Sequence, residues 1–251
     1  SVSPVRGIRR GPAPPPAPVT HGEVRSYDGY GNNPLHPKMG MAGARLVRFA
    51  PPDYANGRSS PAGPWRESAR AISNEVCAQS GPMPNAYGLS DYLWQWGQFL
   101  DHDIDLTDGT EPPEAFDIAV PAGDPWFDPA GTGTETIPLN RSIYDRATGH
   151  RPGSTREQVN EITAWIDASG VYGSNPLRAL ELRTLDGTGR MKTSAGDLLP
   201  FNVNGFPNAG GPDPGLFLAG DVRVNEQTGL AAMHTLFVRE HNWLAGKLRQ
   251  R

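Results

Sequence analysis

Glycine and proline interrupt this chain so often that few stretches are long enough to hold a regular element. There are 30 Gly and 26 Pro among 251 residues. Proline cannot sit inside a helix or a central strand, and glycine raises the entropy lost when either is fixed. From 108 to 153 the two recur constantly, as in Glu111-Pro112-Pro113 and Pro129-Ala130-Gly131-Thr132-Gly133. That region reads as loop with small strands at most, and 25–65 and the stretch before 216 read as loop too. The remaining windows have helical periodicity. Apolar patterns predict helices near 66–80 and 89–104, and Leu230, Met233, Phe237, Leu244 and Leu248 trace a stripe over 228–249. Ser154-Thr155-Arg156-Glu157 has capping-box spacing and predicts a short helix. Asn175 before Pro176 supplies an N-cap and an N1 proline for a helix over 176–184. Strand signals are sparse, so the expected fold class is mainly α and loop-rich. Residues 1–24, with Gly11-Pro12-Ala13-Pro14-Pro15-Pro16-Ala17-Pro18, favour polyproline II and are expected to form an arm beside a domain at 25–251.

One window carries chemistry. Trp94, Gln98 and His102 fall on one face at i, i+4 and i+8. Asp101 and Asp103 lie about 100° to either side of His102. Ser90 is the expected N-cap, after a turn at Gly88. A histidine flanked by aspartates on a helix is ordinarily a solvated surface feature. Here Leu93, Trp96, Phe99, Leu100 and Ile104 surround it, so the helix is expected to be largely buried. Buried carboxylates need a cation, a metal or a cofactor, and the spacing alone does not choose among them.

Bulk properties exclude some functions. A net charge of -4 and a pI near 5.9 give no basic footprint for nucleic acid. No apolar run of about 18 residues is present to span a bilayer. The start Ser1-Val2-Ser3-Pro4 lacks a signal-peptide core, which leaves export open. Cys77, the only cysteine, excludes an intrachain disulfide and is expected to be packed and inert on the buried side of its helix.

The segment Trp96-Gly97-Gln98-Phe99-Leu100-Asp101-His102-Asp103 resembles the distal-histidine helix of the animal-type haem peroxidases, in the peroxidase–cyclooxygenase superfamily. Thr163-Ala164-Trp165-Ile166-Asp167-Ala168-Ser169-Gly170-Val171-Tyr172-Gly173-Ser174 is similar to that family's calcium loop. Phe217-Leu218-Ala219-Gly220-Asp221-Val222-Arg223-Val224-Asn225-Glu226 is similar to its catalytic-arginine segment. Met233-His234-Thr235-Leu236 and Arg239-Glu240-His241-Asn242 follow in family order. Upstream, Arg25-Ser26-Tyr27-Asp28-Gly29, Gly31-Asn32-Asn33 and Arg70-Ala71-Ile72-Ser73-Asn74 fit as well. The resemblance covers most of 25–250. Arginine far outnumbers the three lysines, Lys38, Lys192 and Lys247, a usage that hints at a GC-rich bacterial genome.

The resemblance implies a peroxidase that uses hydrogen peroxide to oxidise halides, thiocyanate or small aromatic donors through a ferryl haem. His102 would be the proton-transferring base, because imidazole titrates near neutrality. Arg223 would stabilise developing negative charge, and Gln98 would hold water or a halide beside the iron. Asp101 and Glu226 match the carboxylates that ester-link haem b in related enzymes, although Glu226 could instead stabilise the helix that follows it. Gln227 stands where some members carry a methionine that forms a sulfonium link, so that link should be absent. Ca²⁺ would be held by Asp103, Thr163, Trp165 (through its carbonyl), Asp167 and Ser169, a set of hard oxygens; spaced oxygens of this kind also suit an Asx turn. A calcium site suits a secreted or extracytoplasmic location.

The family's proximal histidine lies well downstream of the catalytic arginine, past the end of this sequence. His234 and His241 sit where the family places no axial ligand and read as structural histidines. The chain therefore looks like the N-terminal half of a peroxidase domain, a truncation or a cleavage product, with a C-terminal half that supplies the proximal ligand as its partner. Two other readings stay open. One is a non-catalytic peroxidase-like scaffold or adhesion module; the other is an HD-type metal phosphohydrolase built on His102 and Asp103.

Overall fold

A computed structural model describes residues 24–62 and 65–250. The proline-rich arm expected at 1–24, with His21, lies outside the described residues but for Val24. The elements in chain order are α1 (Ala69–Val76), α2 (Tyr92–Ile104), β1 (Ile118–Ala119), β2 (Thr136–Ile137), α3 (Ser169–Tyr172), α4 (Pro176–Glu181) and α5 (Thr228–Arg249). β1 and β2 pair antiparallel, Ile118 with Ile137 and Ala119 with Thr136. The regular structure is mainly helical, joined by long ordered loops.

α2 packs on α5, and the single turn of α3 is wedged against both. Phe99 of α2 stacks on Phe237 of α5 with ring centroids 4.8 Å apart. Val171, Leu218, Val224, Leu230 and Met233 close the core around them. Each such side chain contributes roughly 1.5–3 kcal/mol by leaving water. Asn160 pins the far end of α2: its Nδ2 donates to the Ile104 carbonyl (2.8 Å), and its Oδ1 accepts from Leu106 N–H (3.0 Å).

Two helices follow their local signals closely. The Asn175 side chain accepts from Arg178 N–H at 3.0 Å with Pro176 next in the chain, which starts α4. α5 runs over the expected span, capped by Gln227, whose Oε1 accepts from Gly229 N–H at 2.7 Å.

Four expectations fail. The Ser154 capping box opens no helix. Ser154 pairs with Arg151 in an isolated bridge, while Arg156 is buried, bonded twice to Glu114 (2.8 and 3.2 Å) and laid over the Tyr144 ring. Long-range pairing of Arg156 outweighs a local cap. Cys77 is exposed rather than packed. α1 buries no residue and is fastened through polar groups, with Arg70 and Asn74 bonded to Asp124, so the thiol at its C-cap stays outside. α2 begins one residue later than expected, capped by Asp91 without a side-chain bond. Finally, α2 is not largely buried: only Phe99, His102 and Asp103 are, and Trp94 is 61% exposed.

Candidate functional site

Both buried polar residues of α2 stand at its end, where α3 and the 217–226 segment close over them. Gly220 allows this approach. A Cβ there would stand 2.3 Å from the Ser169 carbonyl oxygen and 2.4 Å from Gly173 N, so no larger residue fits. The Asp221 N–H then donates to the Gly170 carbonyl (2.9 Å), which fixes the segment that carries Arg223.

His102 is buried and lies between two carboxylates. Its Nδ1 is 3.9 Å from Asp221 Oδ1, and its Nε2 is 3.9 Å from Glu226 Oε2. Burial and the nearby Arg223 charge push its pKa below the ordinary histidine value, although Asp221, Glu226 and Asp101 pull the other way. The imidazole is therefore neutral near pH 7 and has a lone pair to offer.

Arg223 is less free than a lone cation. Its Nε and Nη2 grip the two Asp221 oxygens at 2.8 Å each, and Nη2 also donates to the Asp105 carbonyl (2.9 Å) and toward that of His102 (3.4 Å). The guanidinium thus caps the C-terminal end of α2, where the helix dipole favours a cation. Burial alone would raise the Asp221 carboxyl, but the Arg223 bonds and charge outweigh it and hold the group below the usual carboxylate range.

Gln98 donates from Nε2 to Glu226 Oε2 at 3.0 Å. Gln227 donates from Nε2 to the Oε1 atoms of Gln98 (2.9 Å) and Gln95. Glu226 does not cap α5, since Gln227 holds that position; its carboxylate faces α2. Asp101 and Glu226 are both exposed. Beside Asp101 on the helix, Gly97 has open space where a Cβ would stand. An interior glycine costs about 1 kcal/mol of helix stability against alanine, and no neighbour within the described residues requires it. The donor set, the two exposed carboxylates and this open strip of α2 fit a large flat group lying against them.

The second cluster begins one residue along. Asp103 Oδ2 accepts from Ala168 N–H and Oδ1 from Gly170 N–H, both at 2.8 Å. Ala168 sits in the left-handed region at φ 60°, a conformation that non-glycine residues rarely adopt, and it turns the loop so that these N–H groups point at Asp103. Ser169 Oγ lies 3.4 Å from Asp103 Oδ1, and Thr163 Oγ1 lies 3.3 and 3.4 Å from the two Asp167 oxygens. Trp165 follows Thr163 in the loop, its N–H against Thr163 Oγ1 at 3.5 Å. Burial raises the pKa of both Asp103 and Asp167, and for Asp103 the Asp167 charge adds to the rise. One cation, Arg25, stands 3.4 Å from Asp167. One buried and one partly buried carboxylate, with a hydroxyl oxygen beside each and one arginine, suit a hard divalent ion.

Among the described residues no group of three or more His, Cys, Asp and Glu side chains is placed to hold a metal ion, so the phosphohydrolase reading finds no ligand set there. His241 is satisfied structurally, with Tyr172 Oη at 3.0 Å and the Gly189 carbonyl at 2.8 Å. Sequence reasoning missed Asp221, although an aspartate two residues before an arginine in a turn is a signal for such a pairing. It also missed Gln95, Asn160 and the bonds that Gln227 makes, whose partners are far apart in the chain and leave no local trace.

The chain belongs to the animal haem peroxidase family, whose model matches residues 24–251. It is similar to peroxinectin A of Dictyostelium discoideum, with 36% identity over 90% of this chain and 44% of that protein. Peroxidasin of Drosophila melanogaster is 34% identical over 92% of this chain but only 17% of its own length. Among solved structures, peroxidase A from Dictyostelium discoideum superposes with a TM-score of 0.78 at 34% identity, covering 91% of this chain and 47% of that one. The fatty acid alpha-dioxygenase of Arabidopsis thaliana shares the fold, with a TM-score of 0.66 at 20% identity over 90% of this chain and 32% of that one. The chain thus spans less than half the length of each of these relatives.

Proposed function

We propose that this chain forms the distal side of a haem peroxidase that consumes hydrogen peroxide and oxidises halides, thiocyanate or small aromatic donors. The observation that carries the reading is the meeting of α2 with a segment more than 120 residues later: Glu226 stands beside the His102 imidazole and bonds Gln98, while Arg223 reaches the His102 backbone carbonyl. Haem would supply the redox iron at which the peroxide bond is cleaved. His102 takes a peroxide proton at Nε2 and returns it to the departing oxygen. Arg223 contributes a fixed positive potential; Nε and Nη2 are engaged, which leaves Nη1 for the developing negative charge. Gln98, oriented by Glu226 and Gln227, holds a water or an anion beside His102. Asp101 and Glu226 are the exposed carboxylates that would hold the haem, and an ester link to it would use them.

Asp103, Thr163, Trp165, Asp167 and Ser169 would hold Ca²⁺, which would balance the Asp103 and Asp167 carboxylates. A calcium-dependent fold suits a secreted or extracytoplasmic protein. No helix among the described residues is long and apolar enough to cross a membrane. A C-terminal half of the peroxidase domain, bearing the proximal histidine, is the partner. Its docking is supported by the apolar surface that α2 and α5 leave open, which includes Trp94, Trp243 and Leu248.

The test is His102→Ala in the haem-loaded, complete domain. Stopped-flow spectra should show the peroxide reaction slowed by about 10²–10⁴-fold, the usual worth of a positioned acid–base group. An unchanged rate would remove His102 from the mechanism.

A further inference from the structure

His234 of α5 is fully buried, and neither of its ring nitrogens has a hydrogen-bond partner in the described structure; His102 Nδ1 is likewise buried and unpaired. A neutral imidazole presents one donor and one acceptor, and native proteins rarely leave such groups unmet in their interior. The mechanism above does not use His234, and it touches neither Glu226 nor Gln98.

The three orphaned nitrogens belong to one neighbourhood. His234 meets the edge of Phe99 at 5.1 Å between ring centroids, and Phe99 stands one helical turn before His102 on α2. Gly170 lies between the parts. A Cβ there would be 3.3 Å from His234 Cε1 and 3.2 Å from Asp103 Oδ1, and the Gly170 carbonyl holds the Asp221 N–H. The Gly170 backbone stands beside the same ring. His102 Nδ1 and Asp221 Oδ1 are 3.9 Å apart, beyond direct bonding. A buried water needs two to four polar partners; the His102 and His234 nitrogens left unpaired and the Asp221 carboxylate are of the types that supply them.

We propose that His234 is a positioning residue for His102: one buried water joins a ring nitrogen of His234 to His102 Nδ1 and the Asp221 carboxylate. The water accepts the Nδ1 proton and donates to Asp221 and His234. His102 is thereby held in the tautomer whose lone pair is on Nε2, the nitrogen that faces Glu226. This assignment rests on reading His102 as the peroxide base.

Nitrogen-15 histidine NMR on the haem-free protein near pH 7 tests it, with His102 identified by its loss in His102→Gln. The wild type should show His102 protonated at Nδ1, with a nuclear Overhauser contact from that proton to a long-lived water. His234→Leu or His234→Phe should abolish the contact, mix the tautomers and lower Tm by about 3 °C or more. His234→Gln, whose amide can still meet the water, should restore both tautomer and contact. A wild-type proton on Nε2, the absence of the water contact, or an apolar variant that folds with the His102 tautomer unchanged would each overturn the proposal. Should neither apolar variant fold, the wild-type contact decides alone. Peroxide inertness of the haem-loaded protein would count against the reading of the site and leave the tautomer result standing.

Discussion

At the scale of single residues, the site depends on groups that the chemistry alone would not have named. Asp221 neutralises and aims Arg223, so the cation is tied by two side-chain bonds to its own near neighbour. Replacing Asp221 with Asn removes the charge partner of a largely buried guanidinium that keeps only carbonyl acceptors; urea unfolding should show a loss of about 3–5 kcal/mol, and a loss under 1 kcal/mol would mean that the pair is solvated. Acid sensitivity follows from the two buried imidazoles. Burial holds His234 at about 4, well under the ordinary value, and lowers His102 as well. Between pH 6.5 and about 4 the unfolded chain binds protons that the folded chain refuses, so stability falls as the pH drops through that window. His234 alone should remove on the order of 2 kcal/mol between pH 7 and pH 5, read as a lower urea midpoint; equal midpoints would mean that His234 protonates as in water. The residue types of this site were legible in the sequence because acid–base chemistry selects few side chains. Their pairings were not, since hydrogen bonds across more than 100 residues leave no periodicity to read.

At the scale of elements, α4 and α5 were legible almost to their ends because cap and stripe agree with the final packing. The segment after Ser154 was not, because the burial of Arg156 against Glu114 and Tyr144 decides its conformation. The placement of α2 relies on two fasteners at its C-terminal end. Asn160→Ala removes three backbone contacts from a buried position and should cost about 1–3 kcal/mol, measured by thermal unfolding; an unchanged Tm would show that the end is held without Asn160. The other fastener is Asp103. Addition of a chelator to calcium-loaded protein should lower Tm, and Asp103→Asn should abolish that response. A chelator-insensitive wild type would refute the calcium assignment.

At the scale of the whole molecule, the chain keeps a buried centre between α2, α3 and α5 and a broad apolar exterior on the same two long helices. Trp94 and Trp243 are each more than half exposed, more aromatic surface than an isolated globular protein ordinarily shows. Alone in solution the chain should self-associate or bind an apolar dye, and addition of the remaining peroxidase half should suppress both; a monodisperse, dye-free chain would argue against a covering partner. The sequence predicted burial for this helix because its apolar content demands a partner, and the demand is unmet by the residues described. His102 and Asp103 are chain neighbours whose side chains diverge by about 100°, one lying between Asp221 and Glu226, the other bolted to the amides of Ala168 and Gly170. The helix has a single rotation with which to satisfy both, so neither position can drift by small compensating shifts. Variants that survive in nature should change this pair together or not at all.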